Sequence, residues 1–180
     1  MKVWRFVGFD DCFDREKAYL VGCVTAGTYV EGFLIEGIDV DGLDVTEKMI
    51  RAIGRSKFGI QLKCIFLDGV TFAGFNVVDV EELHDATGVP VIVFMRRYPK
   101  FEDIERALRN LPDYERRWEL IKKAGKIYEV EGSLVQLRGC DVETARLYLR
   151  ASRLKGKVPE PLRIAHLVAS ALIHGESRKR

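Results

Sequence analysis

Cys64-Ile65-Phe66-Leu67-Asp68-Gly69 is the stretch from which the fold can be read. Four apolar residues run without a break and stop at an Asp-Gly pair. A strand with one wet face would alternate apolar and polar residues. A continuous run instead marks a strand buried on both faces, as in a sheet covered by helices on either side. A second run, residues 89–95, ends at Arg96-Arg97. Between the two, residues 78–87 have helical spacing and stop at Gly88. Together they make a strand–helix–strand unit with parallel strands.

Toward the N-terminus, residues 3–10, 17–26 and 29–40 read as three strands, with a turn at Gly27-Thr28. Such short connections give an antiparallel meander. Asp41-Gly42 ends it. Asp44-Val-Thr-Glu47 then has the form of a capping box, with aspartate in place of serine or threonine, and opens a helix running to Arg55. Toward the C-terminus, residues 101–110 and 114–124 read as amphipathic helices parted by Leu111-Pro112. Residues 127–137 read as one or two short strands, 141–151 as a helix, and 162–173 as a last helix after Pro159-Glu-Pro161. The expected class is therefore α/β. A ribonuclease-H-like mixed sheet is built from an antiparallel three-strand meander followed by parallel βαβ units, with helices on both faces. No repeat, low-complexity segment or linker interrupts the pattern, so residues 1–180 are expected to form a single domain.

The 180 residues are 47% hydrophobic and 31% charged, which is ordinary globular composition and excludes a disordered chain. No apolar run approaches the roughly 20 residues of a membrane helix. The start, Met1-Lys-Val-Trp4, reads as the lead into a strand and not as a signal peptide. The four cysteines, Cys12, Cys23, Cys64 and Cys140, form no C-x-x-C pair, so zinc is not expected. A reducing cytoplasm suits them. A net charge of +2 neither demands nor excludes nucleic acid, because phosphate binding depends on local clustering.

Chemistry concentrates at element ends. Asp10 closes the first strand, Asp68 closes the fourth, and Asp41 and Asp44 stand between the third strand and the first helix. Carboxyl ends of parallel strands meet at one edge of an α/β sheet. With the first and fourth strands side by side, Asp10 and Asp68 would repel unless a cation lay between them. An all-oxygen site suits Mg2+ or Mn2+, which can activate water for phosphoryl transfer. Each aspartate also has an ordinary role open to it, since Asp-Gly makes turns and a pre-helix aspartate makes caps. Arg96 and Arg97 share the Asp68 edge and could steady a phosphate. Arg116-Arg117, Lys122-Lys123 and Lys126 offer a phosphate-binding face or a merely solvated one. Thr71, Phe72, Phe75 and Asn76 lie in a glycine-bearing loop after Asp68, where aromatic rings could stack on a base. His84, His166 and His174 lack metal-ligand spacing and read as structural or surface residues.

Val7-Gly-Phe-Asp10, Leu67-Asp-Gly69 with Gly88-Val-Pro-Val-Ile92, and Val142-Glu-Thr-Ala145 with Pro159-Glu-Pro-Leu-Arg-Ile-Ala165 resemble the motifs of endonuclease V, a nuclease of deaminated bases with a ribonuclease-H-like fold. Val7 to Asp11, Asp68 to Asn76 and Pro90 to Val93 are more similar still to an archaeal sister family, endonuclease dU, which acts on deoxyuridine-containing DNA. The resemblance implies that Asp10 and Asp68 bind metal and that Arg96 replaces a catalytic lysine. It implies further that Asp44 or Asp41 replaces a second-site glutamate, and that Asp141 serves where the family has a histidine after glycine. Tyr29-Val-Glu-Gly-Phe33 only faintly echoes the family's strand-separating wedge. The expected activity is metal-dependent hydrolysis of phosphodiester bonds in DNA carrying deaminated bases. The expected partner is damaged DNA, single strands included, with no membrane. The alternative is a catalytically weak module that binds nucleic acid or nucleotides on the same fold.

Overall fold

The computed structural model describes residues 3–179. Strands β1 (Arg5–Phe13), β2 (Ala18–Ala26) and β3 (Tyr29–Gly37) form the meander, with β2 antiparallel to both neighbours. Helix α1 (Val45–Gly54) and a 3-10 turn (Gly59–Gln61) lead into β4 (Leu62–Asp68), which lies parallel to β1. A small ribbon, β5 (Thr71–Phe72) with β6 (Asn76–Val77), precedes α2 (Val80–Thr87) and β7 (Val91–Met95), which lies parallel to β4. Helices α3 (Phe101–Leu108) and α4 (Tyr114–Lys123), strands β8 (Tyr128–Val130) and β9 (Ser133–Arg138), and helices α5 (Val142–Ser152) and α6 (Glu160–His174) complete the chain. The large sheet has the order β3-β2-β1-β4-β7-β9-β8. This is a ribonuclease-H-like mixed sheet with helices on both faces.

The run that opened the sequence reading is buried on both sides, because its residues alternate between two cores. Ile65 and Leu67 join Val7, Phe9, Val91 and Val93 beneath α1 and α2. Cys64 and Phe66 join Phe6, Ile92 and Phe94 beneath α5 and α6. Each fully buried side chain of this size contributes about 1.5–3 kcal/mol, so the centre of the sheet is the rigid part of the molecule. Gly8 lets α6 lie directly on β1. A Cβ there would stand 2.6 Å from the backbone of Pro161 and Leu162, so Gly8→Ala would push the helix off the sheet. Burial pushes the Cys23 thiol up to about 12 and Cys140 up to about 11, so both stay protonated small hydrophobes. No helix among the described residues is long and apolar enough to cross a membrane.

Three expectations need correction. The first strand does not end at Asp10. It runs to Phe13, because Asp11, Cys12 and Phe13 pair with Leu20, Tyr19 and Ala18 of β2. The third strand ends at Gly37, so residues 39–44 are loop. The parallel pattern also stops at β7, because β9 runs antiparallel to it. The cause is a β8–β9 hairpin with a two-residue turn, Glu131-Gly132, both at positive φ (51° and 70°). That is the turn whose twist matches antiparallel strands. Tyr29 to Gly32 pair with β2 near its Ala26 end, away from Asp10, so this stretch is not placed to part strands at the acidic edge.

Candidate active site

The last pair in the parallel register of β1 and β4 is Phe9 with Leu67. Asp10 and Asp68 therefore stand at the next level on neighbouring strands, whose axes lie about 4.8 Å apart. Asp10 is 0% exposed. The Asp11 main-chain N–H donates to its Oδ1 at 2.8 Å, and His166 Nδ1 lies 3.0 Å from its Oδ2. The Asp68 side chain is 5% exposed, and its Oδ2 accepts from Arg96 Nη2 at 3.2 Å. Arg96 and His166 thus flank the two carboxylates.

His166 is the residue that the sequence reading missed. It lies on α6, which Gly8 seats against β1, and its ring reaches Asp10 across 156 positions of sequence. The available signal was its place directly after Arg163-Ile-Ala165 in the closing motif. Its other nitrogen, Nε2, lies 3.1 Å from the Arg178 carbonyl oxygen. Both ring nitrogens thus face oxygen atoms. The segment after α6 is tied back along the helix, with Ser177 Oγ donating to the Leu167 carbonyl and the Arg178 N–H donating to Ser170 Oγ.

Asp41 and Asp44 share this edge but turn away to hold a loop. Asp41 Oδ1 accepts from the Phe75 N–H at 2.8 Å. A Cβ at Gly74 (φ 83°) would collide with that same oxygen, so the loop closes on Asp41 only with glycine there. Asp11 Oδ2 accepts from the Ala73 N–H at 2.8 Å. Asp44 does not form the expected capping box, having no side-chain cap bond to α1. Its Oδ1 accepts from Asn76 Nδ2 at 2.6 Å, and Asn76 Oδ1 accepts from the Val45 N–H at 3.1 Å. Asn76 thus caps α1 from a distant segment.

This corrects the reading of the loop. Asn76 and Phe72 are fully buried, so neither is exposed for a base to stack on or bond to. Phe75 packs beside the core of Val77, Leu108 and Ile121. Arg117 is likewise no part of a phosphate-binding face. It is buried, and its Nη1 donates to the Gly42 and Phe75 carbonyls at 2.8 and 2.6 Å. Arg97 is exposed, beside Arg96. Thr71 remains accessible.

Asp141 lies at the opposite edge. β9 ends with Arg138 beside Val91, the first residue of β7, and Asp141 follows three positions later. There it caps α5, accepting from the Thr144 N–H at 2.8 Å. The antiparallel course of β9 removes it from the acidic edge, and it is not a candidate ligand. Among the described residues, no group of three His, Cys, Asp or Glu side chains converges to hold a metal. The five-aspartate set expected from sequence thus reduces to Asp10 and Asp68. Two adjacent carboxylates still fit Mg2+ or Mn2+, because Mg2+ takes one or two protein carboxylates and completes its shell with water and substrate phosphate.

A cavity of about 140 Å³ opens at the same end of the sheet. Gly69, which follows Asp68, and Met95, which precedes Arg96, both line it. Val70, Phe101, Ile104 and Ile121 make its walls apolar, and Thr71 and Gln136 bring polar groups.

A model of the endonuclease dU family matches residues 2–173. The UPF0215 protein of Archaeoglobus fulgidus is 52% identical over 178 residues, covering 99% of this chain and 98% of its own. The Pyrococcus furiosus protein of that name is 49% identical over 184 residues, covering 97% and 95%. A crystal structure of a protein of unknown function from A. fulgidus has a TM-score of 0.93 at 50% identity, covering 96% of this chain and 99% of that one. Human endonuclease V has a TM-score of 0.61 at 12% identity, covering 96% and 85%. A Ciona intestinalis endonuclease V, bound to a 24mer DNA containing an inosine followed by a ribo-adenosine, has a TM-score of 0.58 at 15% identity, covering 91% and 83%. At such identities the likeness to endonuclease V is one of fold. The match along nearly the whole length is decisive at the family level: the chain belongs to the endonuclease dU family.

Proposed function

We propose that this protein, acting as one domain over residues 1–180, is a metal-dependent endonuclease. It hydrolyses phosphodiester bonds in DNA carrying deaminated bases, deoxyuridine first among them. The observation that carries this reading is the level pair Asp10 and Asp68, with Arg96 bonded to Asp68 and an apolar cavity at the same end of the sheet. Asp10 and Asp68 would hold Mg2+ or Mn2+. A divalent cation there supplies charge neutralisation and activation of water for phosphodiester hydrolysis. His166 orients Asp10 through its Nδ1. Arg96 is an exposed guanidinium already bonded to Asp68, and it can transfer a hydrogen bond to a phosphate oxygen entering beside that carboxylate. The cavity accepts a base turned out of the stack, with Thr71 in its lining and Arg97 nearby for the backbone.

The second reading is a module that binds nucleic acid without cutting it. Its support is the lack of a convergent third ligand among the described residues. One experiment separates the two. Strands carrying uracil, hypoxanthine, xanthine or no lesion are incubated with wild type and Asp68→Asn, in Mg2+, in Mn2+ and in chelator. Metal-dependent cutting of the uracil strand, reduced about a thousandfold in a folded Asp68→Asn, is expected. Full activity in that variant, or binding of every strand with cutting of none, rejects the nuclease reading.

A further inference from the structure

Gln136 is a polar residue where the fold calls for an apolar one. It pairs with Val93 in the sheet, under the same helices as Val91 and Leu67, and is only 5% exposed. Its Nε2 donates to the Gly125 carbonyl at 2.9 Å, at the end of α4. That bond settles which amide atom is which, since a carbonyl can only accept. Among the described residues, Oε1 accepts no hydrogen bond. Oε1 is not sealed inside the protein, so it stands open to whatever enters the cavity. Gln136 lines the cavity that begins at Gly69, and its walls are otherwise apolar except for Thr71. Cavities of about 150 Å³ admit a ring the size of benzene.

Resting on the nuclease reading above, we propose that Gln136 is the specificity-determining residue of this cavity and selects bases with a lactam edge. Oε1 accepts from a ring N–H, and the remaining Nε2 hydrogen donates to the neighbouring ring carbonyl. Deamination creates that edge. Cytosine and adenine present an amino group beside an unprotonated ring nitrogen, whereas uracil and hypoxanthine present a carbonyl beside a ring N–H. The reversed edge would need Gln136 turned over, which the Gly125 bond opposes. A site built on a fixed donor and acceptor rejects the wrong pattern because its own polar groups are left unpaired. Thymine shares the lactam edge, so Gln136 does not separate uracil from thymine.

The test compares wild type with Gln136→Met, which keeps the side chain's length and removes both polar groups. Cutting in Mg2+, and binding of labelled strands in Ca2+ by anisotropy, are measured on strands with one uracil or with cytosine at the same position. Wild type is expected to favour uracil by about tenfold or more in each assay, and Gln136→Met by less than about threefold. An unchanged ratio in a variant that cuts overturns the role of Gln136 and leaves the nuclease reading standing. If wild type cuts no strand, the nuclease reading fails, and the binding ratio alone decides for or against Gln136. Should Gln136→Met not fold, wild type is given 3-methyluracil, whose ring N–H is blocked. A loss of about tenfold supports the proposal, and equal handling of the two bases overturns it.

Discussion

Two pairs of aspartates occupy the same edge of the sheet and do different work. Asp10 and Asp68 sit at one level on adjacent parallel strands. Asp41 and Asp44 sit in the loop after β3 and face main-chain and amide donors at Phe75 and Asn76. The first pair has like charge beside like charge, an arrangement that favours a cation. The second pair has its needs met by hydrogen-bond donors inside the protein. Position at a sheet edge therefore does not make an aspartate a ligand. What separates the pairs is what their oxygens hold: Asp41 and Asp44 hold the loop at Phe75 and Asn76, whereas Asp10 and Asp68 meet His166 and Arg96 at adjacent strand ends.

That contrast can be broken by substitution. The largest effect should come from the strand-end pair. Asp10→Asn is expected to reduce metal-dependent cutting about a thousandfold while circular dichroism and melting stay near wild type. Unfolding of this variant would make Asp10 a structural residue like Asp44. Next in size is the loop side. Asn76→Ala removes the cap on α1 and leaves Asp44 without its amide partner. We expect a loss of about 2–3 kcal/mol, read as a Tm lower by about 4–10 °C, with cutting retained by the folded fraction. A stable Asn76→Ala that no longer cuts would move Asn76 into the site and erase the distinction.

The smallest effect belongs to the opposite edge. Asp141→Ala should lower Tm slightly, as the loss of one exposed helix cap does, and leave cutting unchanged. Its pH behaviour follows from the same bond. The Thr144 main-chain and side-chain hydrogen bonds hold the Asp141 carboxyl below the ordinary aspartate value of 3.8. Because the folded value is the lower one, the contribution is complete above 3.8 and fades as pH falls through the folded value. The gap in Tm between wild type and Asp141→Ala should accordingly close in strong acid. A gap that persists there would assign the effect to something other than the carboxylate.

Much of this was legible in local pattern. The unbroken apolar runs of β4 and β7, the meander and the helix at 142–152 could all be read, because burial on two faces and helical spacing leave marks within ten residues. Asp68 could be placed because it ends such a run. The direction of β9 left no equivalent mark. A short strand reads alike whether parallel or antiparallel, and Asp141 was misplaced by an entire sheet width as a result. The buried Asn76 and Phe72 were misread for a similar reason, since a glycine-bearing loop looks flexible until a remote aspartate binds its main chain.

The sequence by itself determined the class of fold and the identity of one strand-end aspartate, because run length and periodicity are properties of neighbours. Only the tertiary structure decided that Asp10 stands level with Asp68, that His166 reaches Asp10, that Asn76 occupies Asp44, and that Gln136 opens on a cavity. Each of these joins segments far apart in the chain. Their meeting depends on register and on which helix packs over which strand, and those are settled by the packing of the whole core.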